Sequence, residues 1–339
     1  MLKENQKNFK EKKKIHPLRK MARSMLVNII LICGMVVVTV YTTFNKVANN
    51  FDTVILENNL GVVPEEELQQ FESSNEILNI ALFGIDSTDT SSRRSDSLIV
   101  ATLDPIHNKV KLTYFMKDAY VYIDDYGYDK LKHAYTYGGP SLAINTLNTN
   151  FGLNITDFLA VDYSSLPEII DNFGGITITI TDDELNYINN NINSINSANG
   201  TNAPNIVSAG TQRLNGVQAL AYSRIYQTSG GDFERTQRKI SLLIALITEA
   251  LNVSSTQYFD SIFNLIEYIK TSLDANTMMK LTKKISQMDL QGISIQRDIF
   301  PQKNYYESQI IDGTYYITFD AATTKAQVMN YIFNDKISQ

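Results

Sequence analysis

The sequence predicts an α/β/α sandwich, a central mixed β-sheet between helical layers, preceded by one N-terminal transmembrane helix. Three observations predict it. From residue 77 onward, short apolar β-branched runs alternate with segments of helical period. Glycine pairs, prolines and Asn/Asp clusters punctuate those runs where turns are needed. Ahead of them, an uncharged stretch of 21 residues, Ser24 to Phe44, directly follows a basic block.

Residues 1–23 carry nine Lys or Arg against Glu4 and Glu11, so a chain of net charge −6 divides into a +7 tail and a −13 remainder. At about 1.5 Å per residue the 24–44 stretch spans a hydrocarbon core of roughly 30 Å. No small-x-small cleavage site follows, which favours an uncleaved anchor over a signal peptide. Its basic flank puts the 1–23 tail in the cytoplasm and everything beyond about residue 45 outside a single-pass cell membrane. Residues 45–75, with Pro64 and three glutamates, read as a juxtamembrane stalk, and residues 76–339 as one extracytoplasmic domain.

Within that domain, strands are expected at 77–86, 97–104 and 109–115, the last two joined by a Pro-Ile-His-Asn turn. Pro140 suits the first turn of a helix carrying Leu142, Ile144, Leu147 and Phe151. A strand at 158–162, a helix at 164–172 and an alternating strand, Ile176 to Ile180, follow. Residues 186–209, rich in Asn and Ser, read as a loop that either covers something or is a tolerated insertion. Helices are expected at 214–222, from 232 into the apolar run Ile240–Ile247, at 257–270 and at 276–288. Strands near 293–299 and 315–319 and a helix from Ala321 close the domain. The 240–247 run fits either a helix buried on both sides or the wall of a lipid-chain pocket.

Composition excludes several functions. The one cysteine, Cys33, falls in the anchor, so the exported part contains no disulfide. His16, His107 and His133 are scattered and form no zinc motif. An acidic exported body argues against a nucleic-acid partner.

Three constellations carry chemistry. Asp86 ends one strand and Asp96 precedes the next, with Arg93 and Arg94 beside them. Carboxylates so placed either hold Mg²⁺ (or Mn²⁺) together with a phosphate, or cap local N–H groups. Arg224 precedes a second cluster, Arg235, Arg238 and Lys239, whose i, i+3, i+4 spacing puts three cations on one helical face near the N-terminus. The helix dipole disfavours cations there by about 0.3–1 kcal/mol, which an anionic ligand would offset. Asp232 and Glu234 offer internal pairing instead. Third, Lys117 and Asp118 leave a strand together, as a phosphate contact and a general base or as a surface ion pair. His133 reads as a hydrogen-bonded structural histidine.

Six collinear segments resemble the LytR-CpsA-Psr family of cell-envelope enzymes. They are Gly84-Ile-Asp86, Arg94-Ser-Asp96, Asp129-Lys-x-x-His-Ala-Tyr-x-Tyr-Gly-Gly139, Asp171-Asn-Phe-Gly-Gly175, Leu214 through Arg224, and Gly231-Asp-Phe-x-Arg-Thr-Gln-Arg238. The resemblance covers residues 77–252. It implies a phosphotransferase that moves an anionic glycopolymer, such as teichoic acid or capsular polysaccharide, from a polyprenyl-pyrophosphate carrier in the membrane onto peptidoglycan. In that reading Asp86 and Asp96 hold the Mg²⁺ cofactor. Arg94, Arg224, Arg235, Arg238 and Lys239 grip the pyrophosphate, and Asp118, Arg94 and Lys117 serve the reaction. The helix from Ile240 then lines a polyprenyl tunnel. The sequence departs from the family pattern at Lys117 and Tyr226, where arginine is usual, and at Lys239, where glutamine is. Those departures keep open a non-catalytic member that binds the lipid carrier as an envelope sensor or attenuator.

Overall fold

The computed structural model describes residues 52–86, 94–228, 231–252, 264–289 and 292–336. The chain divides into units 1–46 and 47–339, and every described residue belongs to the second. The expected tail and transmembrane helix lie outside the described residues. Among the described residues no helix is long and apolar enough to cross a membrane.

The elements in order are β1 (Asp52–Thr53), α1 (Glu65–Leu68), β2 (Leu78–Asp86), β3 (Arg94–Asp104), β4 (Lys109–Phe115), β5 (Tyr120–Ile123), β6 (Gly127–Lys130) and α2 (Leu131–Phe151). Then come β7 (Asp157–Asp162), a 3-10 turn (Tyr163–Ser165), α3 (Leu166–Asn172), β8 (Ile176–Ile180), α4 (Asp182–Asn199), β9 (Gly210–Leu214), α5 (Gly216–Ser223) and α6 (Gly231–Asn252). The chain ends with a 3-10 turn (Ile266–Tyr268), β10 (Ile269–Thr271), α7 (Ala275–Ser286), β11 (Ser294–Phe300), β12 (Tyr306–Ile311), β13 (Thr314–Phe319) and α8 (Ala321–Asn334).

Seven strands form the main sheet in the order β1-β10-β7-β2-β3-β4-β11. It is mixed, as expected: β2 runs parallel to β7 and β4 to β11, while β3 is antiparallel to both β2 and β4. Strict alternation assigns its two faces. Ala81, Phe83, Ile85, Leu98, Val100 and Phe115 pack with Ile144, Leu147 and Phe151 of α2 and Ile332 and Phe333 of α8. Ile99, Val110, Leu112 and Tyr114 pack on the opposite face with Ile240 of α6 and Met288 after α7. Burial on both faces explains why these strands read as near-continuous apolar runs rather than alternating ones.

Four expectations are corrected. The described part of the stalk belongs to the domain: Val63, Leu68 and Phe71 are buried in the core, and Phe71 lies 5.4 Å from the ring of Phe333. The Asn-rich segment is mostly helix α4, started by a Thr181–Glu184 capping box and ended by Gly200 in the left-handed region. Ile188, Ile192 and Ile195 recur at helical spacing and are buried, so packing outweighs the poor helix propensity of asparagine. Two of the asparagines also order the chain beyond the helix. The Asn189 amide donates to the Ile206 carbonyl and accepts from its N–H, and Asn196 does the same with Ala203. Third, α2 begins at Leu131 and kinks at Gly138–Gly139, where Gly139 has φ +62°. Pro140 therefore opens the second of two helical pieces. Finally, of the helix expected over 257–270, residues 264–265 are helical, 266–268 form a 3-10 turn and 269–271 strand β10, while 253–263 lie outside the described residues. Strand β13 matches the one expected at 315–319, but its pairing with β12 and the hairpin β5–β6 were not anticipated.

A buried ionic knot fastens α8 to the sheet. Lys111 of β4 is fully buried, with Nζ 2.8 Å from Asp104 and 3.2 Å from Asp335. It also donates to the carbonyls of Tyr331 and Ile332 in the last turn of α8, where the helix dipole favours a cation. Burial raises the Asp104 pKa, but hydrogen bonds from Lys111 and His107 outweigh it and leave the net shift downward. Asp335 is lowered for similar reasons, burial being outweighed by Lys109 and Lys111. Lys111→Met should therefore destabilise the fold by about 3 kcal/mol or more in thermal denaturation, because it strands a buried carboxylate. Both carboxyls titrate lower in the folded state, so their contribution is present above the ordinary carboxylate range and is lost as pH falls from that range through their lowered values. The urea midpoint should drop below about pH 4, and this drop should be smaller in Asp104→Asn.

Candidate functional site

The ends of β2, β4 and β7 and the start of β3 meet at one edge of the sheet, the carboxyl end of its parallel strands, where open α/β sheets bind ligands. Asp86 pairs with Arg94 across β2 and β3, Ile85 with Ser95, and Gly84 with Ser97. The register shift leaves Asp96 as the extra residue of a bulge, a device that re-aims a strand end. The backbone thus brings Asp86, Arg94 and Asp96 together. Their side chains lie outside the described residues. Carboxylates are the residue type that a hard divalent cation takes as ligands.

Beside them, β7 ends at Asp162, whose carboxylate accepts from the Ser164 N–H and turns the chain into the 3-10 segment. Tyr163 folds back over Gly84. A Cβ at Gly84 would lie 2.8 Å from the Tyr163 hydroxyl oxygen and 2.9 Å from its ring, so only glycine allows this approach. The hydroxyl is 2.5 Å from Ser97 Oγ.

The cationic wall comes from α5 and α6. Asn215 caps α5 in a reciprocal box with Gln218, and Gly216 permits backbone contact with Pro167 of α3, where a Cβ would lie 2.1 Å from the carbonyl oxygen. Arg224 then emerges, exposed, at the α5 C-cap. Across from it, Arg235 and Lys239 project from the first turns of α6. Together with Tyr163, Ser164, Asn191, Ser194, Ser223 and Tyr226 these three cations line a cavity of about 350 Å³.

A second cavity, of about 480 Å³, runs from there between the sheet and the α3, α6 and α7 helices. Its lining is almost wholly aliphatic, including Leu82, Ile99, Leu159, Ile170, Leu242, Leu246 and Met288. Tyr163 and Lys239 line both cavities, and the Lys239 ammonium lies 4.3 Å above the Tyr163 ring. The site is therefore amphipathic along its length: cationic mouth, aromatic junction, apolar trench. The 240–247 run divides its duties, with Ile240 in the sheet-facing core and Leu242, Leu243, Leu246 and Ile247 along the trench.

Arg238 does not join the mouth. It lies about 100° from Lys239 around the helix, and its guanidinium is committed elsewhere. Nε donates to Glu184 at 2.7 Å, one Nη to the Ile225 carbonyl at 3.0 Å, and the other to Thr228 at 2.7 Å and Glu234 at 3.1 Å. Internal pairing wins for this arginine because the side chain is buried, and a buried guanidinium demands partners. Tyr222 packs nearby, and burial plus the Glu184 charge push its pKa up to about 12 against the opposing pull of Arg238.

Asp118 is also reassigned. Its carboxylate bridges Lys132 at 2.9 Å and Lys130 at 3.4 Å. Burial raises its pKa, but Lys132, then Lys117 and Lys130, more than reverse this and hold it low. A carboxylate so paired is a poor general base. Lys117 stands beside it at the end of β4, and neither lines the cationic mouth. His133 is structural as expected, its Nδ1 2.8 Å from Asp129.

Tyr163, Asn191 and Ser194 were missed. Asn191 and Ser194 sit on α4, whose period was legible only in its isoleucines. Tyr163 has no motif, and its role follows from the parallel pairing of β7 with β2.

A LytR_cpsA_psr family model matches residues 37–332. This chain belongs to that family. A relative from Enterococcus faecalis (strain ATCC 700802 / V583), named polyisoprenyl-teichoic acid–peptidoglycan teichoic acid transferase TagU, is 30% identical over 67% of this chain and 74% of its own length. Among solved structures, TagT bound to LIIa-WTA superposes with a TM-score of 0.61 at 22% identity, covering 82% of this chain and 99% of that one. The family protein YwtF (TagT) with bound octaprenyl pyrophosphate lipid gives 0.58 at 20% identity over the same shares. These two likenesses establish the family fold for this chain.

Arg238→Ala should destabilise the fold by about 3–5 kcal/mol, since it leaves Glu184 buried and unpaired, whereas Arg235→Ala should leave the melting temperature nearly unchanged. Gly84→Ala should displace Tyr163 from Ser97, and tyrosine ring resonances in NMR spectra would report the shift.

Proposed function

We propose that this family member is a membrane-anchored extracytoplasmic transferase that moves an anionic glycopolymer from a polyprenyl-diphosphate carrier onto peptidoglycan. The observation that carries the proposal is the junction at Tyr163 and Lys239, where a three-cation mouth opens directly into an aliphatic trench. That sequence of environments matches a ligand with a diphosphate head and a hydrocarbon tail. The names of the relatives, and the lipid and glycopolymer bound to the solved neighbours, support the same reading. So does the uncharged 24–44 stretch, which would hold the trench near the bilayer from which the carrier comes.

The chemistry asks the protein mainly for placement and charge neutralisation. An acceptor hydroxyl attacks the phosphorus that carries the polymer. The bond from that phosphorus to the bridging oxygen breaks, the hydroxyl proton is released, and polyprenyl phosphate departs. Arg224 and Arg235 neutralise the non-bridging oxygens, and Lys239, fixed over Tyr163, meets the diphosphate where the trench begins. The trench grips the prenyl chain at about 0.8 kcal/mol per buried methylene. Asp86 and Asp96 would hold a Mg²⁺ ion, which supplies further positive charge to the diphosphate oxygens. Tyr226 lines the mouth without adding charge, and this favours as second reading a member that binds the carrier without turnover.

The test uses the full chain in nanodiscs with a polyprenyl-diphosphate-linked saccharide and peptidoglycan oligomers, with and without Mg²⁺. Metal-dependent transfer that falls about a hundredfold or more in Arg235→Ala and in Asp96→Asn supports the transferase. Tight carrier binding with no transfer, even in Tyr226→Arg, overturns it in favour of the binding protein.

A further inference from the structure

Beyond Lys117 and Asp118 the chain continues directly into a surface of phenol rings. Alternation along β5 sends Val121 and Ile123 into the core and leaves Tyr120 and Tyr122 on the outer face. Tyr128 of β6 pairs across from Tyr122, and Tyr316 of β13 extends the row. Ring centroids follow one another at 4.8 Å (Tyr316–Tyr120), 5.3 Å (Tyr120–Tyr128) and 5.5 Å (Tyr128–Tyr122). Around the hairpin tip, Tyr126 stacks on Tyr137 at 4.5 Å and 13°. Tyr122, Tyr126, Tyr128 and Tyr137 are 45%, 54%, 63% and 40% exposed, although the hairpin needs none of them for its core contacts. An exposed aromatic patch of this kind marks a binding surface.

We propose that this row is a platform for a neutral saccharide chain, which in the transfer reading, on which that identity rests, is the glycan acceptor. Two of the successive contacts in the row are edge-on, at 63° and 72°, so the exposed rings offer both faces and edges to the C–H faces of sugar rings, and their hydroxyls suit sugar hydroxyls. The surface is held ready. The Asn150 side chain takes the Tyr122 N–H at 3.2 Å and donates to its carbonyl at 2.8 Å, and the Tyr137 hydroxyl donates to Asp129 at 2.5 Å. Little conformational freedom is left to lose on binding.

Charge selects the occupant. Lys117, Lys130 and Lys132 gather around the Asp118 carboxylate, and Lys130 also lies 5.5 Å from the Tyr316 ring, but the far end of the row is acidic, with Asp124 and Asp125 edging the hairpin turn. A polyphosphate would meet like charge there, whereas an uncharged glycan would not. Position supplies the third argument. Ala119, between Asp118 and the first tyrosine, accepts from the Leu131 N–H and pairs with Ile317, so the platform is fixed to the end of β4. That end adjoins the start of β3, where Arg94 and Asp96 lie. A chain lying on the row would approach the sheet edge at which the diphosphate is proposed to react.

The experiment titrates the full chain in nanodiscs with the β-1,4-linked N-acetylglucosamine hexamer by calorimetry, with poly(glycerol phosphate) as competitor. The Tyr122→Ser/Tyr128→Ser pair should weaken hexamer binding about tenfold or more, while Tyr128→Phe, which keeps the ring, stays within about threefold. Melting temperature and polyprenyl-diphosphate affinity should not change, and poly(glycerol phosphate) should not displace the hexamer. The platform is overturned if the parent does not bind the hexamer, if the serine pair binds it as tightly as the parent, or if poly(glycerol phosphate) displaces it. Hexamer binding lost in the serine pair, with no transfer by the parent, would sink the transferase reading and keep the platform. Transfer by the parent, with hexamer binding untouched by the serine pair, would do the reverse.

Discussion

The arrangement of the site depends on one buried guanidinium. Arg238 joins three separately folded pieces of chain: Glu184 at the start of α4, the Ile225–Thr228 segment after α5, and Glu234 on its own helix. A charge in that setting is tolerable only while every partner stays in place, because an unpaired buried ion carries several kcal/mol of desolvation penalty. The clasp therefore fixes the rotation of α6 about its axis. With Arg238 held on one side, Arg235 and Lys239 have to face the mouth, and Leu242 and Leu246, one and two turns on, have to face the trench. A single helix thus presents cations and hydrocarbon in line on one stripe.

The second constraint is steric. Tyr163 reaches Ser97 only because residue 84 lacks a side chain. Its ring then separates polar from apolar space and gives Lys239 a face to rest on. Arg224, Arg235 and Lys239 bring three positive charges to one cavity, a setting that suits an anionic group. The trench beyond is lined almost wholly by apolar side chains, a surface whose exposure water disfavours. The amphipathic ligand proposed above would suit both halves of the site.

Much of this was legible in the residues. The apolar runs, turn residues and glycine pairs foretold the mixed sheet with helices on both faces, because period and punctuation are local properties of a chain. The motifs named Arg224 and Arg235, the helical spacing of charge named Lys239, and all three line one cavity. The Asn-rich segment misled because asparagine has low helix propensity, and its signal lay in three isoleucines whose spacing is helical. Arg238 misled differently. Its spacing from Arg235 is compatible with a shared face, and only the position of Glu184, 54 residues earlier, decides which way it turns.

Fold class, family and the chemical character of the site rest on composition and order along the chain, and a linear reading recovers all three. Other outcomes waited for the packed molecule: which cations line the mouth and which are tied into the fold, that Asp118 neutralises lysines, and that Tyr163 forms the junction. Those outcomes depend on which distant segments share a buried contact. Burial is a property of the packed chain, and it sets which charges must find a partner inside the protein.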